Sequence, residues 1–110
     1  GMGWLTTEEL LWDDNGKIIS NSPANYKIPT AADVPVKFNI ALFDKPNHAD
    51  NVYYSKAVGE PPLMLPISVW CALRDACSSM ANYKINPPLG APATSEQVYY
   101  AMKAAKAYED

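Results

Sequence analysis

Glu60 is the residue with the most chemistry around it. It stands in Ser55–Lys56–Ala57–Val58–Gly59–Glu60–Pro61–Pro62–Leu63, between a glycine and a pair of prolines. Gly59 has no Cβ, so main chain or a ligand can come close to it. Pro61 disfavours the α region for Glu60, and Pro62 does the same for Pro61, which predicts a stiff, extended local backbone. A carboxylate with so little conformational freedom suits general-base chemistry. Its apolar neighbours Ala57, Val58, Leu63, Met64 and Leu65 disfavour a charge there, whereas the dipole of a helix starting just after it favours one. The same pattern also describes a glutamate in a solvent-facing loop ahead of a proline-started helix. Local physics leaves both readings open. Lys56 has the reach to pair with Glu60 or with a phosphate, or to remain a surface lysine.

Other reactive side chains offer less. His48 is the single histidine, beside Asp50 in a polar loop, and a His-pair metal site is excluded. Cys71 and Cys77 fall on one expected helix about 120° apart around its axis, so they cannot bridge within it. They read as two buried thiols of a reducing cytoplasm, with no CxxC spacing for metal or redox work. No nucleophile elbow and no phosphate-cradling glycine loop is present. Trp4, Trp12, Tyr26, Tyr53 and Tyr54 are scattered as core or interface aromatics are, not as a base-stacking platform. Net charge is −3, with nine basic residues that do not cluster. This excludes nucleic acid or an anionic membrane as a main partner. No apolar run reaches the roughly 18 residues that span a bilayer, and no leader opens the chain.

The elements that position these groups come from a chain of 110 residues, 48% of them apolar, enough for one modest core over 1–110. Ten prolines, about twice the usual share, exclude a simple helical bundle. Asp13–Asp14–Asn15–Gly16 predicts a type I′ hairpin turn between Leu10–Trp12 and Lys17–Ile19. Residues 20–35 form a traverse pinned by prolines and anchored by Tyr26, Ile28 and Val34. Val36, Phe38, Ile40 and Leu42 alternate as on one face of a half-buried strand, and Val52–Tyr54 has the composition of a short one. Ile67, Trp70, Leu73, Cys77 and Met80 form a helical stripe after Pro66. After an irregular run over 83–93, Thr94 is placed to cap a last helix running to about Lys106, with Val98, Ala101, Met102 and Ala105 on one face. The pattern predicts an α+β fold: a small mixed sheet with an N-terminal hairpin, a central helix after Gly59–Pro62, and a C-terminal helix.

The octapeptide Lys56–Leu63, KAVGEPPL, resembles a segment of the molybdenum hydroxylases, the xanthine dehydrogenase and aldehyde oxidase family. Three further landmarks follow the same family in order. Gly1–Met2–Gly3–Trp4 with Glu8–Glu9–Leu10 resembles its Gly-x-Gly helix leading into Glu-Glu-Leu. Asn25–Thr30 resembles its Tyr-Lys-Ile-Pro stretch, and Ala91–Thr94 its Ala-Pro-Ala-Thr. The likeness is to the C-terminal end of the large, molybdopterin-binding subunit, so the chain is expected to be a fragment of a larger domain.

The resemblance implies specific roles. The glutamate matching Glu60 would be the general base beside molybdenum in hydroxylation of a purine, another N-heterocycle or an aldehyde with water-derived oxygen. Ala57, Val58 and Gly59 would line the molybdopterin cofactor through their backbone. Iron–sulfur centres and FAD would sit on other domains or subunits, with the remainder of the molybdopterin subunit, or an upstream gene product, as partner. The glutamine that precedes the Gly-x-Gly in the family has no counterpart here, nor do the other cofactor loops and the substrate-orienting arginine. The fragment is therefore not expected to hold the cofactor or turn over by itself. The competing reading is a truncated, non-catalytic α+β module that self-associates and keeps the signature as a relic.

Overall fold

The structure, a computed structural model, describes residues 1–108. Its regular elements are helical. Short 3-10 turns occur at Gly3–Leu5, Ala31–Asp33 and Val52–Tyr54, and three α-helices follow: α1 (Pro61–Met64), α2 (Ile67–Ser79) and α3 (Ser95–Lys106).

Both longer helices begin where local chemistry dictates. Pro66 stands at the N-cap position of α2, just ahead of its first residue Ile67, where a missing N–H costs the helix no bond. Thr94 caps α3, its hydroxyl oxygen accepting from the Gln97 N–H at 3.3 Å. Lys103 and Lys106 lie in the last turn of α3, where cations oppose the helix dipole favourably. In the 3-10 turn at Ala31–Asp33, Thr30 and Asp33 form a reciprocal capping box. The Asp33 carboxyl is held below its ordinary value by the Thr30 backbone and hydroxyl donors.

The two helices meet around small side chains. Cys77, Ala81, Ala93, Ala101 and Ala105 are buried, and no large side chain is fully buried among the described residues. The N-terminal turn closes on this centre through the Ala93 N–H, which donates to the Leu5 carbonyl at 2.7 Å. Trp70 Nε1 donates to the Gly90 carbonyl at 2.9 Å and ties α2 to the proline-rich run before α3. The expected stripe on α2 is buried chiefly at its C-terminal end, and Ile67 is left exposed. The radius of gyration is 18.1 Å, against about 13 Å for a closed domain of this length. Most of the chain outside α2 and α3 therefore lies over no core of its own.

Among the described residues the small mixed sheet does not form, and pairing there is confined to one antiparallel bridge between Trp12 and Ile18. The turn there is also of another type, since Gly16 has φ +77° and Asn15 keeps a negative φ. Asp13 Oδ1 accepts from the N–H groups of Asn15 and Lys17, both at 2.9 Å, and this Asx arrangement sets the turn one residue earlier than a type I′ pair would. Val36–Leu42 is irregular and exposed, and Val52–Tyr54 is a 3-10 turn with Tyr53 and Tyr54 at positive φ. A strand needs a neighbour for its ladder, and neither segment has one among the described residues. Cys71 is exposed, which also corrects the expectation of two buried thiols; Cys77 is buried, and burial raises its thiol pKa.

Candidate functional site

Glu60 immediately precedes α1. Its backbone lies in the α region at φ −91° and ψ −30°, not in the extended region that a following proline favours. Its carbonyl accepts from the Leu63 N–H at 2.9 Å, a first-turn bond that draws Glu60 into the helical geometry. Pro61 and Pro62 occupy the opening positions of α1, where their missing N–H groups leave no bond unmade. The extended backbone expected of this segment is therefore replaced by a helix start. The Glu60 side chain is exposed and caps nothing.

Upstream, Ala57, Val58 and Gly59 are exposed, with Val58 at 88%. Residues 56–59 make no hydrogen bond among the described residues, and a Cβ added at Gly59 would meet nothing within 4 Å. No ion pair or hydrogen bond joins Lys56 to Glu60. His48 is exposed as well, and no group of three or more His, Cys, Asp or Glu side chains suited to a metal exists among the described residues.

The approach to this segment is fixed by a residue that pattern reading passed over. Asn47 donates through Nδ2 to the Tyr54 carbonyl at 2.7 Å and to Asn51 Oδ1 at 3.2 Å, while its Oδ1 accepts from the Ala49 N–H at 3.0 Å. Ser55 continues the knot, its hydroxyl donating to the Val52 carbonyl at 2.8 Å. Two asparagines flanking a short polar loop are the only signal for it.

The far side of the segment touches the N-terminus. Gly1 and Met2 share a cleft of about 250 Å³ with Pro62, Leu65, Pro66 and Val69. A Cβ on Gly1 would come within 2.6 Å of the Pro62 carbonyl oxygen. The structure thus brings together the glycine-rich start and the Gly-Glu-Pro-Pro segment, two landmarks about sixty residues apart. A larger open cleft of about 430 Å³ is lined by Arg74, Asp75, Tyr83, Lys84 and Asn86 and takes no residue from 55–60. No helix is long and apolar enough to cross a membrane among the described residues.

Comparison with known proteins covers the same ground. The molybdopterin cofactor-binding domain family matches residues 1–35. The chain is 41% identical over 105 residues to xanthine dehydrogenase of Blastobotrys adeninivorans, covering 89% of this chain and 8% of that protein. It is 39% identical over 101 residues to xanthine dehydrogenase/oxidase of Gallus gallus, covering 89% and 7%. Indole-3-acetaldehyde oxidase of Zea mays is 38% identical over 104 residues, covering 86% and 8%. The chain spans about 8% of the length of the curated relatives it matches. A stretch that takes in 86–89% of the chain includes residues 56–63 wherever it begins. The landmarks in the sequence and these matches agree, and the chain belongs to the xanthine dehydrogenase and aldehyde oxidase family, as a piece of its molybdopterin-binding part.

Proposed function

We propose that this chain supplies the general base, Glu60, to an oxidoreductase of the xanthine dehydrogenase type that hydroxylates a purine, another N-heterocycle or an aldehyde. The observation that carries this reading is the Glu60 carboxylate itself. It is exposed and unpartnered at the head of a proline-stiffened turn, inside the stretch matched by the relatives. Glu60 neither caps α1 nor pairs with Lys56, so its carboxylate is not engaged in holding this chain's own fold.

Residues 57–59 fit one wall of a cofactor site. Their backbone groups are free of intrachain bonds and Gly59 leaves an open face, so Ala57, Val58 and Gly59 would hold the molybdopterin cofactor by main chain. They enclose nothing by themselves, and the remaining walls belong to the rest of the molybdopterin-binding polypeptide. When bound, that cofactor would supply the two-electron oxidation of the substrate carbon, with iron–sulfur and FAD centres carried elsewhere as the electron acceptors. Glu60 takes a proton from the water-derived oxygen that adds to the electron-poor carbon. The proline pair limits the positions its carboxylate can reach and so keeps it directed at that proton.

The test is co-expression with the molybdopterin-binding polypeptide of the same genome, followed by assay of molybdenum content and of xanthine and aldehyde oxidation. Glu60→Gln should leave the metal content unchanged and lower turnover by about 10²-fold or more. Full turnover in Glu60→Gln would overturn the general-base role.

A further inference from the structure

We propose that Asn15 is a site of spontaneous modification: its side-chain amide is lost to attack by the Gly16 backbone nitrogen, at a rate that the Asp13 turn holds down. The site lies outside residues 55–63 and does not depend on the role of Glu60. Asparagine is among the thermolabile side chains, and its reactivity is set by what surrounds the carboxamide. Asn15 and Gly16 are exposed, in the loop between Trp12 and Ile18. The Asn15 carboxamide forms no hydrogen bond among the described residues, so nothing anchors it away from the following peptide. Gly16 has no Cβ, and one built there would meet nothing within 4 Å, so the approach of its nitrogen is unobstructed.

The step is intramolecular, and water is its one co-reactant. The Gly16 nitrogen loses its proton and bonds to Asn15 Cγ; the Cγ–Nδ2 bond breaks, and ammonia leaves with that proton. The cyclic imide so formed is then opened by water at either carbonyl. Water adding at Cγ restores the main chain and leaves an aspartate side chain. Water adding at the main-chain carbonyl leaves the chain running through Cβ and Cγ, one carbon longer, with the carboxylate on Cα. Nothing is oxidised or reduced.

The turn itself opposes this chemistry. The attacking nitrogen is engaged, because the Gly16 N–H donates to the Asp13 carbonyl at 2.9 Å. Asp13 Oδ1 fixes the peptides on either side by accepting from the Asn15 and Lys17 N–H groups, both at 2.9 Å. Attack therefore requires the turn to open locally. Little besides Asp13 resists that opening, since residues 14–17 are exposed and the arms share a single bridge. The product also changes the turn. A third carboxylate joins Asp13 and Asp14, and the extra main-chain carbon separates the two N–H groups that Asp13 Oδ1 accepts, so the lengthened turn cannot keep both.

The purified protein that carries this chain is incubated at mildly alkaline pH beside a synthetic peptide of residues 10–20, and both are followed by peptide mapping with mass spectrometry. Residue 15 should gain the mass that replaces an amide by a carboxyl and separate into two products of equal mass, aspartate and its lengthened isomer. The protein should convert more slowly than the peptide. Asp13→Ala should speed conversion in the protein by about tenfold, whereas Asp13→Asn, which keeps an acceptor oxygen, should stay near wild type. Gly16→Ala should suppress the gain in protein and peptide alike, so a disturbed turn cannot account for it. No conversion in the protein while the peptide converts, or undiminished conversion in Gly16→Ala, would overturn the site. Equal rates in protein and peptide, or no acceleration in Asp13→Ala, would overturn the hold that Asp13 exerts.

Discussion

The Tyr26 phenol donates a 2.6 Å hydrogen bond to Glu8 Oε2, joining two segments eighteen residues apart in the chain. This bond, then desolvation and the Glu8 charge, raise the Tyr26 pKa above the ordinary 10.0. A raised pKa means that the unfolded chain loses this proton first. The contribution to stability is therefore whole below about pH 10 and is lost as pH rises through the folded value. Tyr26→Phe should lower the urea midpoint at about pH 8, and the gap to wild type should narrow as pH rises beyond the ordinary tyrosine value of 10.0. A gap independent of pH would mean that the bond contributes nothing.

Gly3 lies under the same link. Its carbonyl accepts from the N–H groups of Thr6, Thr7 and Glu8, and a Cβ there would meet Glu8 Oε1 and lie 2.5 Å from Pro29 Cδ. The proline ring cannot swing away as a flexible side-chain end can. Gly3→Ala should cost about 1–3 kcal/mol, as overpacking does, whereas Gly90→Ala, which meets only the end of Gln97, should cost less. Thermal melts of the two variants check the order.

At the helical centre the buried side chains are small, Cys77 and four alanines among them, so enlarging one is felt directly. Ala101→Leu, at 0% exposure, should destabilise by about 1–3 kcal/mol. Thr94→Ala should cost about 1 kcal/mol through the lost cap of α3. Both are read from denaturant midpoints. A silent Ala101→Leu would show that α2 and α3 do not pack as described.

What the sequence revealed of the fold follows the range of the forces involved. The start of α2 behind Pro66 and the span of α3 from the Thr94 cap were legible, because caps and prolines act within a turn. The alternation over Val36–Leu42 is equally clear as a pattern, yet a strand forms only beside a neighbour that completes its ladder, and the segment has none among the described residues. At Asn15–Gly16 the dipeptide favours one turn and Asp13 Oδ1 enforces another, a competition between local hydrogen bonds that composition does not rank. The proline neighbours and the family signature single out Glu60 as a candidate, whereas nothing in the sequence pattern singled out the Asn47 knot that precedes it. Asparagine is common in loops, and only the fold decides which one bonds.

Gly59 separates a structural from a cofactor role for this segment. Nothing lies within 4 Å of a Cβ built there, and its φ is not in the positive region that favours glycine. In the isolated chain Gly59→Ala should therefore change stability by no more than about 0.5 kcal/mol. Glu60→Gln should be as mild, since the carboxylate caps nothing. In the assembled enzyme the two variants should diverge. A methyl at Gly59 would obstruct the close approach that the cofactor needs and reduce molybdenum content, while Glu60→Gln should keep the metal and lose turnover. Metal analysis and steady-state oxidation on the same preparations read both effects. Equal molybdenum content in Gly59→Ala and wild type would remove residues 57–59 from the cofactor site while leaving Glu60 as the base.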